Sequence, residues 1–351
     1  MTTSVLIKSY VPDGHMRTLT IPQGVIALTT IVWGGAGGGG GNDSHVGGTG
    51  APGDLVEVTF NVSVGDIVKL GVGAGGGTGV SGRSNAPGGA GGAGANLGGN
   101  ISFGSGLYGN ISYVGGAGGK AGPAGTSGGG GGGGAATIVM LNGNVIAVAG
   151  GGAGGGGGGN YGNGAAASIV SASATGPTGQ NGQDHDGDGG GGGGGGGGYN
   201  GGLGGATGDG DVGGNAGQHG SSWFDPTKVI SGAITHGAGI KPALSTIGNY
   251  DIGTYATGGV ATAAGGDGYA VVQFAYMPYP RVKVGGTWKN VSNVFVRVND
   301  ITTLTGLKWA PVSQILLNKD GKWKHITQLD PTTDFTDIGT QWSAGGTRSY
   351  S

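Results

Sequence analysis

Cysteine is absent from all 351 residues, which excludes disulfide staples, thiolate metal sites and thiol nucleophiles, and suits assembly in a reducing cytoplasm. Charge is sparse and nearly balanced, with 16 Lys+Arg against 18 Asp+Glu and a formal net charge of −2. No global basic field therefore points to nucleic acid or anionic lipid. No apolar stretch approaches the roughly 20 residues that cross a bilayer, so no membrane insertion is expected. Met1 to Tyr10 holds one lysine and a short apolar run, without the layout of an export signal. No segment shows a convincing helical period. Glycine fills the space: the 97 glycines lie far outside ordinary globular usage.

Strand signals punctuate the first 277 residues. Val25 to Trp33 is a run of β-branched and apolar residues. In Asp54–Val62 the residues Val56, Val58, Phe60 and Val62 share one face, with Glu57, Thr59 and Asn61 on the other. That alternation is what a half-buried strand requires. Thr137–Leu141 and Val145–Val148 flank Asn142-Gly143, the dipeptide that accepts positive φ in a two-residue hairpin turn. Gly268–Tyr276 alternates again, with Ala270, Val272, Phe274 and Tyr276 on one side. The expected body is all-β.

Between these strands lie uninterrupted glycine runs: Gly37–Gly41, Gly128–Gly134, Gly154–Gly159 and Gly189–Gly198. Flexible linkers are one reading of such chain. Collagen is disfavoured because no strict third-residue register is kept and proline is scarce, at 12 residues. The runs recur between apolar strands, so each must leave and re-enter a β-platform. Ordering glycine costs roughly 0.5–1 kcal/mol per residue relative to alanine, so an ordered form needs a dense compensating network. Packed polyglycine II helices, exchanging N–H···O bonds and Cα–H···O contacts, would supply one and are the favoured reading.

The ordered blocks Ile31-Val32-Trp33-Gly34-Gly35-Ala36-Gly37, Gly53 to Phe60, Val64-Gly65-Asp66, Leu70 to Gly76, and Ala264 to Val272 resemble the glycine-rich domain of bacteriophage tail proteins. The resemblance covers about residues 18–277 and implies a minor tail protein, tail-fibre or adhesin component of the virion, assembled in the host cytoplasm. It further implies other tail proteins and a host cell-surface glycan or protein as partners, with a homotrimer as the usual state of phage fibres. The expected function is host attachment by non-covalent, multivalent binding. The alternative is a purely structural tail component that cements its neighbours. The block order and the lack of an export signal disfavour a secreted cell-wall protein.

Residues 278–351 differ in character. They carry 9 Lys/Arg against 5 Asp/Glu, whereas residues 1–277 carry 7 against 13. Val282–Val291, Val294–Val312 and Ile315–Ile326 each read as a hairpin with a Trp beside a Lys: Trp288, Trp309 and Trp323. The expected architecture is thus a β-sandwich-like platform with glycine-rich loops over 1–277, followed by a small β-hairpin-repeat domain over 278–351. The hairpin tryptophans read as core, and lone hairpins must stack or trimerise to be stable.

Catalytic chemistry finds little support, and no enzyme is expected. Gly125-Thr126-Ser127-Gly128-Gly129 fits the serine-hydrolase elbow by letter but lacks its strand–turn–helix context. Gly115–Lys120 lacks the P-loop spacing. Asp184-His185-Asp186-Gly187-Asp188-Gly189 copies the start of a calcium loop, but Gly195 stands where the bidentate glutamate belongs. An acidic, solvated loop tip is the simpler reading; any metal at Asp184, Asp186 and Asp188 would be weakly held Ca²⁺, and no other cofactor is implied. For recognition, the non-repetitive insert from Ser221 to Thr257 offers Trp223, Phe224, His236, Tyr250 and Tyr255 as receptor-contact candidates. A small core under the insert is the equal alternative.

Overall fold

The computed structural model describes residues 5–10, 16–92, 96–97, 101–103, 106–108, 111–124, 126–169, 176–276, 281–284, 287–290, 315–319 and 322–326. The fold is all-β, with no α-helix among the described residues. In chain order the strands are β1 (Val5–Tyr10), β2 (Arg17–Thr20), β3 (Val25–Trp33), β4 (Leu55–Asn61), β5 (Ile67–Gly71), β6 (Asn96–Leu97), β7 (Ile101–Phe103), β8 (Gly106–Tyr108) and β9 (Ile111–Ser112). Then follow β10 (Thr137–Leu141), β11 (Asn144–Ala149), β12 (Trp223–Phe224), β13 (Ser231–Thr235), β14 (Tyr269–Tyr276), β15 (Arg281–Val284), β16 (Thr287–Asn290), β17 (Ile315–Lys319) and β18 (Lys322–Ile326). The chain divides into two compact units, Val5–Ala275 and a second that includes Tyr276–Ser351.

Two sheets form the platform of the larger unit. One has the order β1-β14-β3-β4-β13; the other runs β2-β5-β10-β11-β7-β8, with β12 also on β11. Pairing is antiparallel except for a short parallel contact between β7 and β11. The hairpin between β10 and β11 turns at Asn142 and Gly143, with φ of 50° and 83°, as a primed turn demands. The sheets meet through β3 with β10 and β4 with β11. Val56, Val58 and Phe60 are buried on one face of β4, as are Ala270, Val272 and Phe274 of β14. On the opposite face, Ile31, Trp33, Leu55 and Val271 pack with Ala243, Ile252 and Ala256 of the insert. A covered outer face explains why Glu57, on the polar side of β4, is nonetheless only 3% exposed.

The glycine runs leave this platform as a bonded lattice. All four are buried along their whole length and lie outside the strands. Between Gly128 and Ala136 the donors cycle with a period of three. Gly128, Gly131 and Gly134 donate to Gly158, Gly155 and Gly152; Gly129, Gly132 and Ala135 to Val80, Gly77 and Ala74; Gly130, Gly133 and Ala136 to Gly119, Gly116 and Tyr113. The carbonyls of this run accept from three further segments, through Gly35 and Gly38, Gly89 and Gly92, and Gly191 and Gly194. Six segments therefore surround it, and no direction is left for a side chain. A Cβ at Gly130 would stand 1.9 Å from Gly192 O, and one at Gly133 would stand 2.0 Å from Gly195 O.

Outer segments loosen the rule in proportion to their neighbours. Gly115–Lys120 touches four segments and reads Gly-Gly-X, with Ala117 and Lys120 at the third position. Gly179–Gln183 touches three and keeps only Gly179 and Gly182. Side chains satisfy some outward amides: Asn181 Oδ1 accepts from Ala117 N at 2.9 Å and Asp184 Oδ1 from Lys120 N at 2.8 Å.

In the second unit β15 pairs with β16 and β17 with β18, placing Lys283 opposite Trp288 and Asn318 opposite Trp323. The expected second hairpin, Val294–Val312 with Trp309, lies outside the described residues.

Candidate functional site

The lattice has two ends. At one end its segments join the strands, as where Trp33 of β3 runs into Gly34 and Gly53-Asp54 leads into β4. The pairs Gly34–Asp54, Gly37–Ala51 and Gly40–Gly48 form an antiparallel hairpin whose turn, residues 42–46, lies at the other end. The same reasoning places there residues 81–85, 123–124 with 126–127, 160–163, 184–188 and 209–211. Six loops far apart in sequence thus form one tip.

The tip loops are stitched to one another. Asn42 N donates to Ser81 Oγ at 2.8 Å, Ser44 Oγ to Asn160 Oδ1 at 2.6 Å, and Ser84 Oγ to Pro123 O at 2.6 Å. Asp211 N donates to Asp188 O at 2.6 Å, and Tyr161 N to Asp211 O at 3.0 Å. Asp211 adopts φ +65°, a left-handed turn that aspartate tolerates better than most side chains. The loops hold Asp43, Asp184, Asp186, Asp188, Asp209 and Asp211 against Arg83, with Lys120 beside Asp184 at 3.9 Å. Desolvation, followed by the neighbouring Asp211 carboxylate, raises the Asp188 pKa above its ordinary value. Desolvation and a neighbouring like charge both disfavour the ionised carboxylate.

The structure separates the aromatic candidates of the insert. Trp223 stacks on Tyr199, centroids 4.9 Å apart, against the cluster of Tyr113, Ile138 and Met140. Phe224 lies over Gly232, where an added Cβ would meet its ring at 2.8 Å. Tyr255 stacks on Tyr269 at 5.0 Å, and Tyr250 OH accepts from Gln273 Nε2. Tyr250 and Tyr255 both pack against the outer-face cluster of Trp33 and Leu55. The insert is strapped down elsewhere too. Trp33 Nε1 donates to Ala243 O at 2.9 Å. The buried Glu57 carboxylate accepts from Ser245 Oγ at 2.5 Å, Thr246 N at 3.1 Å and Thr246 Oγ1 at 2.8 Å. Four of the five aromatic and histidine candidates thus contribute to packing, Trp223 against one core cluster and Tyr250 and Tyr255 against another.

The fifth, His236, is exposed to solvent and bonds from the surface to a buried polar junction. Its Nδ1 lies 2.7 Å from Asp54 Oδ1, and that hydrogen bond holds its pKa above the ordinary value. Asp54 Oδ2 accepts from Ser222 Oγ at 2.6 Å, while His219, fully buried, lies 3.6 Å away and faces the carbonyls of Pro52 and Gly220 at 2.8 Å each. A serine nucleophile needs its hydroxyl on the imidazole; here serine and histidine both bond to the carboxylate. The arrangement ties the insert to the base of the lattice.

Of the calcium candidates Asp184, Asp186 and Asp188, two have partners within the tip. Asp184 bonds the Lys120 amide, and Asp188 faces Ser127 Oγ at 3.4 Å and Asp211. Among the described residues no three His, Asp or Glu side chains stand together in metal-holding geometry. No family model matches the chain, and no curated protein does. The sequence did carry a signal for the tip: short polar clusters at 42–45, 81–85, 160–163, 184–188 and 209–211 interrupt the glycine-rich chain away from the strands.

Proposed function

We propose that this protein is a bacteriophage minor tail, tail-tip or tail-fibre component that contributes to host-surface recognition through the loop tip. The observation that supports this most is the gathering of six polar loops at the end of a glycine lattice remote from the sheets. Such a lattice has no side chains to rearrange, so it holds the loops as rigidly as a core holds a binding face, which lowers the ordering cost of binding. The period of three in its hydrogen bonds supports polyglycine II helices as its conformation. At ~3.1 Å per residue, a ten-residue run would carry the tip roughly 31 Å from a β-sandwich-like platform. The order of strand and glycine blocks supports the tail assignment. In a homotrimer three such tips would add avidity to individually weak contacts.

The test is binding of fluorescently labelled protein to intact bacteria of a panel of strains, beside a variant in which loops 42–46 and 184–188 are replaced by glycine. Saturable binding to some strains, lost in the loop variant while it still unfolds in a single cooperative transition, is the expected result. A folded protein that binds no strain would instead support the structural reading, a tail component that cements its neighbours.

A further inference from the structure

The tip carries exposed apolar surface as well as charge. Tyr161 is 79% exposed, Val46 53% and Val212 38%. They sit on three loops joined through residues 160–164. Gly164 N donates to Val46 O at 2.9 Å, Tyr161 N bonds Asp211 O, and a Cβ at Gly162 would lie 3.3 Å from Val212 Cγ1. Exposed apolar side chains gathered on adjoining loops, rather than scattered singly, are what marks a contact surface. The same tip carries the exposed carboxylates of Asp186 and Asp209; the Asp209 side chain is wholly solvent-exposed and 3.8 Å from His185 Nε2.

We propose that this surface docks a polypeptide loop in which lysine or arginine stands beside apolar residues. Charge complementarity selects a cationic partner, and a solvent-facing Tyr ring adds a cation–π site for its ammonium or guanidinium group. Val46 and Val212 favour a polypeptide over a glycan, because they offer a sugar hydroxyl nothing to bond. The acidic field also repels phosphate-bearing polymers. This inference rests on the attachment reading for its biological setting, but the docking chemistry can be measured separately.

Fluorescence polarisation of the full chain with a labelled twelve-residue peptide of alternating Lys and Leu is the direct test. A peptide with Glu for Lys and a glucosamine oligomer serve as comparison probes. Binding of the Lys–Leu peptide should weaken about tenfold between 50 and 300 mM NaCl as the Debye length shortens. Tyr161→Ala and the pair Asp186→Asn with Asp209→Asn should each weaken it at least fivefold, while Asp251→Asn, outside the tip, should not. Equal binding of the Glu peptide or the glucosamine oligomer, or tip variants indistinguishable from wild type, would overturn the proposal. Assaying the same variants on bacteria separates the two readings. Cells bound equally by tip variants would sink the docking chemistry alone. Tip-dependent peptide binding without attachment to any strain would sink the attachment reading alone.

Discussion

Gly131→Ala is the most direct probe of the lattice. The new Cβ would lie 2.1 Å from Gly38 O and 2.7 Å from Gly38 C, both backbone atoms that cannot rotate away, whereas real Cβ contacts stay beyond 3.0 Å. The Gly38 carbonyl must retreat, and it accepts from Gly155 N at 3.0 Å while Gly38 N donates to Gly132 O at 2.8 Å. Overpacking of a close-packed interior costs about 1–3 kcal/mol. Each buried amide or carbonyl left unpaired costs about 1–3 kcal/mol more. Against this, alanine reduces the freedom of the unfolded chain and returns about 0.4–1 kcal/mol. The net expectation is a loss on the order of 2–5 kcal/mol. Gly162→Ala is the matched control, because its Cβ would meet the Val212 side chain at 3.3 Å and no backbone atom closer than Gly213 N at 3.4 Å. That variant should stay within about 1 kcal/mol of wild type. Denaturant unfolding followed by Trp fluorescence measures both, and hydrogen exchange of the 128–134 amides reports the lattice itself. A Gly131→Ala protein as stable as Gly162→Ala, with equally protected amides, would refute six-fold packing of this run.

Glu57→Ala removes the acceptor that holds Ser245 and Thr246; a loss of about 2–4 kcal/mol and new proteolytic cleavage within residues 240–250 are expected. His236 titrates above its ordinary value of 6.5 because of its bond to Asp54. Its contribution is therefore fully present below pH 6.5 and lost as pH rises through the folded-state value. The stability difference between wild type and His236→Gln should shrink over that window, and a difference that grows with pH would contradict the assignment. For Asp188 the sign is opposite to that of a salt-bridged carboxylate. Its pKa is raised above 3.8 by desolvation and by Asp211, so the ionised form strains the tip at neutral pH. Asp188→Asn should therefore melt higher than wild type at pH 7, with the advantage vanishing below pH 3.8.

Much of the platform was legible in sequence because strand periodicity is local. The run Val25–Trp33 is β3 itself, the alternation over Asp54–Val62 predicts the buried face of β4, and Asn142-Gly143 marks the turn between β10 and β11. The insert illustrates the limit. Its aromatics look equally suited to a ligand or a core, and that choice depends on whether a partner face exists: Trp33 and Leu55 on the outer side of the sheet supply one. The polar residues of the tip were visible individually but not as a group, since Ser44 and Asn160, or Asp188 and Asp211, meet only when separate glycine segments run side by side.

By itself the sequence determined how deep each glycine segment sits. A segment contacted on all sides has no room for a Cβ and must be unbroken glycine, as in 128–134; a segment with one open side admits a side chain at every third position, as in 115–120. Only the tertiary structure decided which segments are neighbours and in what register. Glycine has no side chain with which to specify a partner, and every backbone amide is chemically alike. The choice passes to the strands and polar junctions at the lattice base, where Thr137 Oγ1 bonds Trp33 O and Asp54 gathers Ser222 and His236.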